Sequence, residues 1–182
     1  MGKAANSSIS LKQIHVTDNF WNKYVHLVKD VIIPYQWDIL NDKLEDVETS
    51  HCIENFKIAA GEKEGEFQGA VFQDTDVAKW LEAVGFVLNY ERDEKLEELA
   101  DETIELIGRA QQPDGYLNTY FTIKEPDGRW SNLMEGHELY TAGHMIEAAV
   151  AYYEATGKRR FLEIVSKFAD LVCQTFGPEE GK

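Results

Sequence analysis

The sequence is poor in cysteine and contains no long apolar run. Its two cysteines, Cys52 and Cys173, lie far apart and outside any C-x-x-C spacing, which argues against a disulfide scaffold and against a self-contained zinc site. No stretch approaches the ~20 apolar residues that cross a bilayer, and the first residues carry no apolar segment typical of a secretion signal. We therefore expect a cytoplasmic protein that does not enter a membrane.

Basic residues are also scarce. Eighteen Lys and Arg stand against 33 Asp and Glu, which gives a formal net charge of −15. Such a surface repels nucleic-acid phosphates and anionic lipid, so we expect neither nucleic acid nor a membrane surface as a partner. Neutral small molecules and sugars remain open. A hydrophobic fraction of 43% with 12% aromatics fits one globular domain with its own core.

Several common catalytic motifs are missing as well. The sequence has no Gly-rich phosphate loop, no Ser nucleophile elbow and no dinucleotide fingerprint. Carboxylates are abundant, but glycoside hydrolysis typically needs two of them facing across a sugar, or a substitute nucleophile, and sequence spacing does not place such a pair. Asp74 or Thr75 is expected to cap the helix that follows. Asp74 and Asp76 are each either such a cap or a pocket residue, and for one of them the cap is expected. Phe72 and Trp80 offer flat faces on which sugars stack, although core packing explains Trp80 equally well.

The sequence does contain a succession of amphipathic helices. Apolar residues at helical spacing predict a first helix from Phe20 to Tyr35, capped by Thr17 or Asp18 and kinked or broken by Pro34. Four more are predicted in the segments DVAKWLEAVGFVLNY, EKLEELADETIELIGRA, GHELYTAGHMIEAAVAYYEATG and RRFLEIVSKFADLVCQTF. The segments between them are predicted to be irregular at 41–74, with EFQGAVF as a short extended piece, and a loop at 121–136.

Comparison of the sequence with itself at a shift of 65 residues reveals a repeated layout. Glu82 and Ala83 fall on Glu147 and Ala148, and the turns between the paired helices coincide. Each unit is an inner helix rich in Ala and aromatics, a short turn, an acidic outer helix and a loop. This pattern predicts an all-α fold of helical hairpins in an α/α array or toroid. Since each hairpin buries a face on the next, we expect an open array or the front part of a larger toroid.

His137 and His144 are the most informative histidines. Seven residues apart on one predicted helix, they point within about 20° of each other, with Tyr140 and Thr141 between them. This polar stripe on an apolar helix fits one wall of a water-filled pocket, but polar groups satisfied between packed hairpins explain it too. The two rings are roughly 10 Å apart along the axis, which makes them a poor metal-binding pair.

The stretch QQPDGYLNTY, residues 111–120, follows the clearest amphipathic helix. Its Pro-Asp-Gly turn stops that helix and sends the chain back. Tyr116 and Asn118 are expected to hang over a pocket or to brace it. Gln111 and Gln112 are expected to brace the loop.

Four segments together carry a family resemblance: FQDTDVAKWLEA, RAQQPDGYLNTYF, HELYTAGHMIEAAVAYYEATG and FGPEEGK. Over residues 13–182 the sequence resembles the N-terminal part of glycoside hydrolase family 127, the bacterial β-L-arabinofuranosidases. The resemblance implies a catalytic (α/α)6 barrel followed by β-domains, and makes 1–182 the incomplete N-terminal portion of that barrel. It also implies a retaining mechanism with a cysteine nucleophile held on zinc by further Cys and Glu ligands. Those residues belong downstream, so no catalytic residue and no metal ligand is expected within 1–182.

The resemblance also places the histidine of the H-E-x-Y segment, here His137, in the sugar pocket. With the residues singled out above, the expected substrate-binding set is His137, His144, Tyr116, Asn118, Phe72 and Asp74. The expected partners are a small neutral arabinofuranosyl saccharide and the remainder of the barrel, and a homodimer stays open. One alternative, an unsaturated glucuronyl hydrolase, would place basic residues in the pocket. Another, a non-catalytic helical scaffold, would have a well-capped last hairpin and an inert His137.

Overall fold

The computed structural model describes residues 9–179, and every regular element in that range is helical. The α-helices are α1 (Trp21–Leu27), α2 (Ile33–Leu40), α3 (Cys52–Ala59), α4 (Asp74–Tyr90), α5 (Glu94–Ala110), α6 (Thr119–Ile123), α7 (Leu133–Gly136), α8 (Glu138–Thr156) and α9 (Arg160–Thr175). Short 3-10 turns lie at Leu11–Gln13 and Pro126–Gly128, and a π-helical turn lies at Val28–Ile32. The predicted all-α class is confirmed.

The repeated hairpins are α4 with α5 and α8 with α9. Helices α4 and α8 run side by side in the same direction, because Lys79 meets Tyr140 and, further along, Gly85 meets Ala151. The approach at Gly85 is so close that an added Cβ would lie 2.8 Å from the Ala151 carbonyl carbon. The predicted turn after α8 is also confirmed, since Gly157 ends that helix in the left-handed conformation, with a φ of 75°.

The N-terminal helical segment differs from its prediction. Pro34 does not end it, because the π turn Val28–Ile32 leads directly into α2 and carries the proline into the first turn of α2. Asp18 accepts hydrogen bonds from the backbone N–H groups of Phe20 and Trp21 at 3.0 and 2.7 Å, as its predicted capping role requires.

Two regions predicted to be irregular contain helices. Helix α3 lies within 41–74, α6 begins at Thr119 and extends into 121–136, and α7 lies within 121–136. The segment EFQGAVF forms no strand; it is held instead by Asn55, whose side chain bonds the backbone N–H and carbonyl of Gln68 at 3.1 and 2.8 Å. These helices have four to eight residues, too few for a periodic pattern to be visible in the sequence.

Within residues 9–179 a hydrophobic cluster joins α2, α3, α4, α5, α6, α8 and α9. Trp80 of α4 is 2% exposed, and its indole N–H donates to the Ile33 carbonyl at 3.1 Å, which fastens α2 to α4. Core packing, the less specific of the two explanations for Trp80, is thus confirmed. Within residues 9–179, no helix has the length and hydrophobicity that crossing a bilayer requires.

Candidate functional site

Four rings form a continuous row across the start of α4 and α8, and we call them the ring row: Phe72, His137, Tyr140 and His144. Neighbouring centroids are 5.2, 5.8 and 4.5 Å apart in that order, and all three contacts are edge-to-face. Phe72 and Tyr140 are 42% and 46% exposed, so the row presents apolar and imidazole surface to solvent. The sequence predicted the His137, Tyr140 and His144 stripe, and the structure adds Phe72 from the preceding loop.

His137 does not lie within a helix, contrary to its prediction. It sits between α7 and α8 with φ 51° and ψ 22°, in the left-handed region. Histidine adopts this conformation more readily than most residues, but such positions are uncommon and concentrate at binding and catalytic sites. The ring therefore projects from a fixed backbone corner at the N-terminus of α8 rather than from its side.

The residue after His137 is Glu138, whose carboxylate is buried. Its two oxygens accept hydrogen bonds from the Tyr116 hydroxyl and, at 2.8 Å, from the Trp130 backbone N–H. The residue has no exposed surface. Burial raises the pKa of Glu138, and the bonds from Tyr116 and Trp130 oppose that shift. Glu138 is the first residue of α8, and its carboxylate bonds two loops. It therefore holds the neighbouring backbone of His137 in place.

Tyr116 and Asn118 support the site from inside. Tyr116 is fully buried, with Trp130 and Phe168 edge-on to its ring and the Arg129 guanidinium 4.0 Å from its centroid. Asn118 is 1% exposed, and its side chain caps α6 by accepting from a backbone N–H at 3.1 Å. Tyr116 and Asn118 were expected either to hang over a pocket or to brace it. Both are buried, which is the position of a bracing residue and not of a surface residue.

Asp74 does not cap its own helix, and that prediction is wrong. Helix α4 has no side-chain cap, since the Asp74 carboxylate instead accepts from the Thr119 backbone N–H and hydroxyl at 2.7 and 2.5 Å. Burial raises the pKa of Asp74 to about 6, against the lowering effect of the Thr119 hydrogen bonds. Asp74, two residues after Phe72, thus ties the start of α4 to the start of α6, and it is buried rather than open to a ligand.

The two glutamines of QQPDGYLNTY brace the loop as predicted. The Gln111 amide donates to the carbonyls of Gly115 and Ile164 at 2.9 and 2.8 Å, which joins the loop to α9. The Gln112 amide donates to the Ala110 carbonyl at 3.0 Å.

One residue of the site was missed from the sequence. The Lys79 ammonium donates to the Tyr140 hydroxyl at 3.2 Å and to Thr75 at 3.1 Å, which places a cation against the ring row. The sequence contained one signal for Lys79, because a shift of 65 residues aligns Lys79 with His144.

Two groups of side chains in the described range have metal-ligand spacing, Asp42–His51–Glu54 and Glu82–His144–Glu147, with all ligand atoms within 4.8 Å of one another. In the first, Thr49 already bonds the His51 ring and Lys63 pairs with Glu54. Neither group contains a cysteine. Cys52 is buried with its thiol directed at a backbone carbonyl, and Cys173 is exposed. The described residues therefore do not fit the Cys-rich zinc set implied by the family resemblance.

Comparisons with known proteins agree with one another. The sequence profile of the GH127 β-L-arabinofuranosidase catalytic domain matches residues 13–182. The non-reducing end β-L-arabinofuranosidase of Bifidobacterium longum is 43% identical over 185 residues, which cover 93% of this chain and 28% of that protein. A crystal structure of a GH127 β-L-arabinofuranosidase from Geobacillus stearothermophilus T6 superposes with a TM-score of 0.91 at 63% identity, over 92% of this chain and 26% of its own.

A second solved GH127 β-arabinofuranosidase superposes with a TM-score of 0.86 at 36% identity, over 96% of this chain and 28% of its own. The chain thus spans little more than a quarter of the length of these relatives. With a profile match over nearly all of its residues, the chain belongs to the GH127 β-L-arabinofuranosidase catalytic-domain family.

Proposed function

We propose that this chain supplies several barrel helices and one wall of the sugar pocket in a retaining β-L-arabinofuranosidase that acts on β-L-arabinofuranosyl oligosaccharides. The observation that carries the proposal is the ring row, with His137 held at a left-handed corner beside the exposed Phe72 and Tyr140. Aromatic rings offer flat faces for the C–H surface of a sugar, and imidazole nitrogens both donate to and accept from hydroxyl groups.

The proposed site divides into contacting and supporting residues. Phe72, His137 and His144 would contact the sugar, since their rings lie in the row. Tyr116, Asn118 and Asp74 would hold the surrounding backbone in place, because they are buried and hydrogen-bonded within the fold. We assign no acid, base or nucleophile to this chain. We propose that zinc belongs to the longer enzyme and that its ligands lie outside these residues.

The alternatives are less well supported. An unsaturated glucuronyl hydrolase would need basic groups for a uronic carboxylate, and Lys79 is such a group beside the row. However, its charge is offset by the nearby Asp76 carboxylate. Burial raises the pKa of Asp76, and the Lys79 charge opposes that shift. A self-contained scaffold would cover its apolar helix faces, whereas Trp21 and Phe86 are 61% and 48% exposed.

The first prediction concerns activity. Purified residues 1–182 should not hydrolyse a nitrophenyl β-L-arabinofuranoside, with or without added zinc, because the chain lacks the nucleophile and zinc ligands that the family resemblance implies. A catalytic domain extended to the length of the relatives should hydrolyse this substrate with retention of configuration. NMR of the sugar that is released first would show its anomeric configuration. Turnover by the chain alone, or inversion by the extended domain, would contradict the proposal.

The remainder of the barrel is the proposed partner of the exposed apolar face. Trp21, Tyr24, Val28 and Phe86 surround a largely apolar groove between α1 and α4. Exposed apolar patches above a few hundred Å2 mark interfaces or aggregation sites. Both cysteines are free thiols, which supports our proposal of a reducing, cytoplasmic location.

The second prediction follows from that groove. Without the rest of the barrel, the chain should self-associate, as a homodimer or larger species, in light scattering over a concentration series. The Phe86→Ser substitution should lower the apparent mass, because it removes an exposed ring from the groove. Glu98→Ser, on the exposed face of α5, serves as the control and should leave the mass unchanged. A monomer at all concentrations would contradict the prediction.

A further inference from the structure

A cavity of about 320 Å³, lined by both polar and apolar side chains, lies between α2 and the first turns of α4. Its polar groups are Gln36 of α2, Ser50 of the following loop, and Asp76 and Lys79 of α4. Its apolar groups are Ile39 and Leu40 of α2 and Trp80 of α4. The volume is at the lower end of the ~300–1,000 Å³ typical of small-molecule sites. None of these residues belongs to the ring row.

Much of the hydrogen-bonding capacity of the cavity is unused. The Gln73 amide donates to Asp76 Oδ2 at 3.0 Å and to Ser50 Oγ at 3.4 Å, which leaves Asp76 Oδ1 and the Ser50 hydroxyl hydrogen available. Gln36 is exposed, and within residues 9–179 its side chain bonds no other protein group, so its amide can both donate to and accept from a ligand. A ligand that carries several hydroxyl groups matches this mixture of donors and acceptors.

Lys79 connects the cavity with the ring row. Two of its three ammonium hydrogens are used by Thr75 and Tyr140, and the third is available to a ligand in the cavity. The Lys79 ammonium also lies 5.2 Å from the centroid of the Tyr140 ring, a member of the row. The row and the cavity therefore share one wall, and a molecule longer than one sugar ring can contact both.

We propose that this cavity is a second saccharide subsite, which holds the sugar ring next to the one bound on the ring row. The opposite charges of Asp76 and Lys79 offset each other, so the cavity favours a neutral polyhydroxylated ring over an anion or a cation. The proposal rests on the proposed function, because it assumes that the first ring occupies the row. It adds that the site distinguishes an oligosaccharide from a simple glycoside.

The test compares two substrates on the intact catalytic domain that contains this chain. The substrates are methyl β-L-arabinofuranoside, which has no second ring, and a β-L-arabinofuranosyl disaccharide. For Gln36→Ala and Asp76→Asn, kcat/KM on the disaccharide should fall about three- to ten-fold further than on the methyl glycoside, the range expected for one lost hydrogen bond. Gln174→Ala and Asp170→Asn make the same changes on exposed positions of α9 and should leave both values unchanged.

Two outcomes would overturn the subsite. An equal loss on both substrates would mean that the cavity only supports the row, and no loss on either would mean that it binds no sugar. Failure of the proposed function is distinguishable, since it would leave both substrates unaffected by removal of the His137 ring. In that case, if the cavity variants still lower kcat/KM on the disaccharide more than on the methyl glycoside, the cavity is a saccharide site and the ring row is not.

Discussion

Replacement of Glu138 by alanine is expected to destabilise the chain more than any other single change around the site. The carboxylate has no exposed surface, and it accepts hydrogen bonds from the Tyr116 hydroxyl and the Trp130 backbone N–H. Alanine leaves both buried donors without a partner. Each unsatisfied group costs about 1–3 kcal/mol, so the free energy of unfolding should fall by roughly 2–6 kcal/mol in all.

Denaturant unfolding of matched variants checks this expectation. Glu154→Ala, at an exposed position of the same helix, should change the unfolding free energy by no more than about 0.5 kcal/mol. Tyr116→Phe removes one donor and should cost less than Glu138→Ala. The double variant should cost less than the sum of the two, because the residues share a hydrogen bond. Additive losses, or a Glu138→Ala variant as stable as the Glu154→Ala control, would show that the buried carboxylate does not hold the loops.

The hairpins were predictable because their signal is local and long. Helix α5 carries a regular apolar stripe over 17 residues, and α8 and α9 repeat the layout of α4 and α5 after 65 residues. Helix α3 was not predictable, since its eight residues hold their conformation through burial of Cys52, Ile53 and Phe56 rather than through an exposed polar face. Short helices of this kind depend on tertiary packing.

The side chains of the ring row could be named from the sequence, but their geometry could not. Spacing alone brought His137 and His144 to one face, yet the left-handed backbone at His137 depends on contacts that sequence does not reveal. Asp74 is the clearest example, since its position favoured a helix cap but its partner is Thr119, 45 residues away. A carboxylate that finds such a partner on another helix adopts a role that local propensity does not indicate.

Replacement of His137 by alanine in the intact, active domain is the direct test of the ring row. A sugar hydroxyl that bonds the imidazole loses about 0.5–1.5 kcal/mol if the bond is between neutral groups and about 2–3 if one partner is charged. Since about 1.36 kcal/mol is ten-fold in rate, kcat/KM should fall roughly two- to ten-fold for a neutral bond and about thirty- to 150-fold for a charged one. The substitution also interrupts the ring row, because the His137 ring contacts both Phe72 and Tyr140.

Stability must be measured on the same variant, because His137 also occupies a left-handed corner. Asparagine tolerates that conformation, so His137→Asn should keep the melting temperature near that of the parent and still lower kcat/KM. His26→Ala, an exposed histidine on α1, is the control for histidine loss away from the site and should change neither quantity. If His137→Ala and His137→Asn both retain the parent kcat/KM while only the melting temperature of the alanine variant falls, His137 is a structural corner and the ring row binds no sugar.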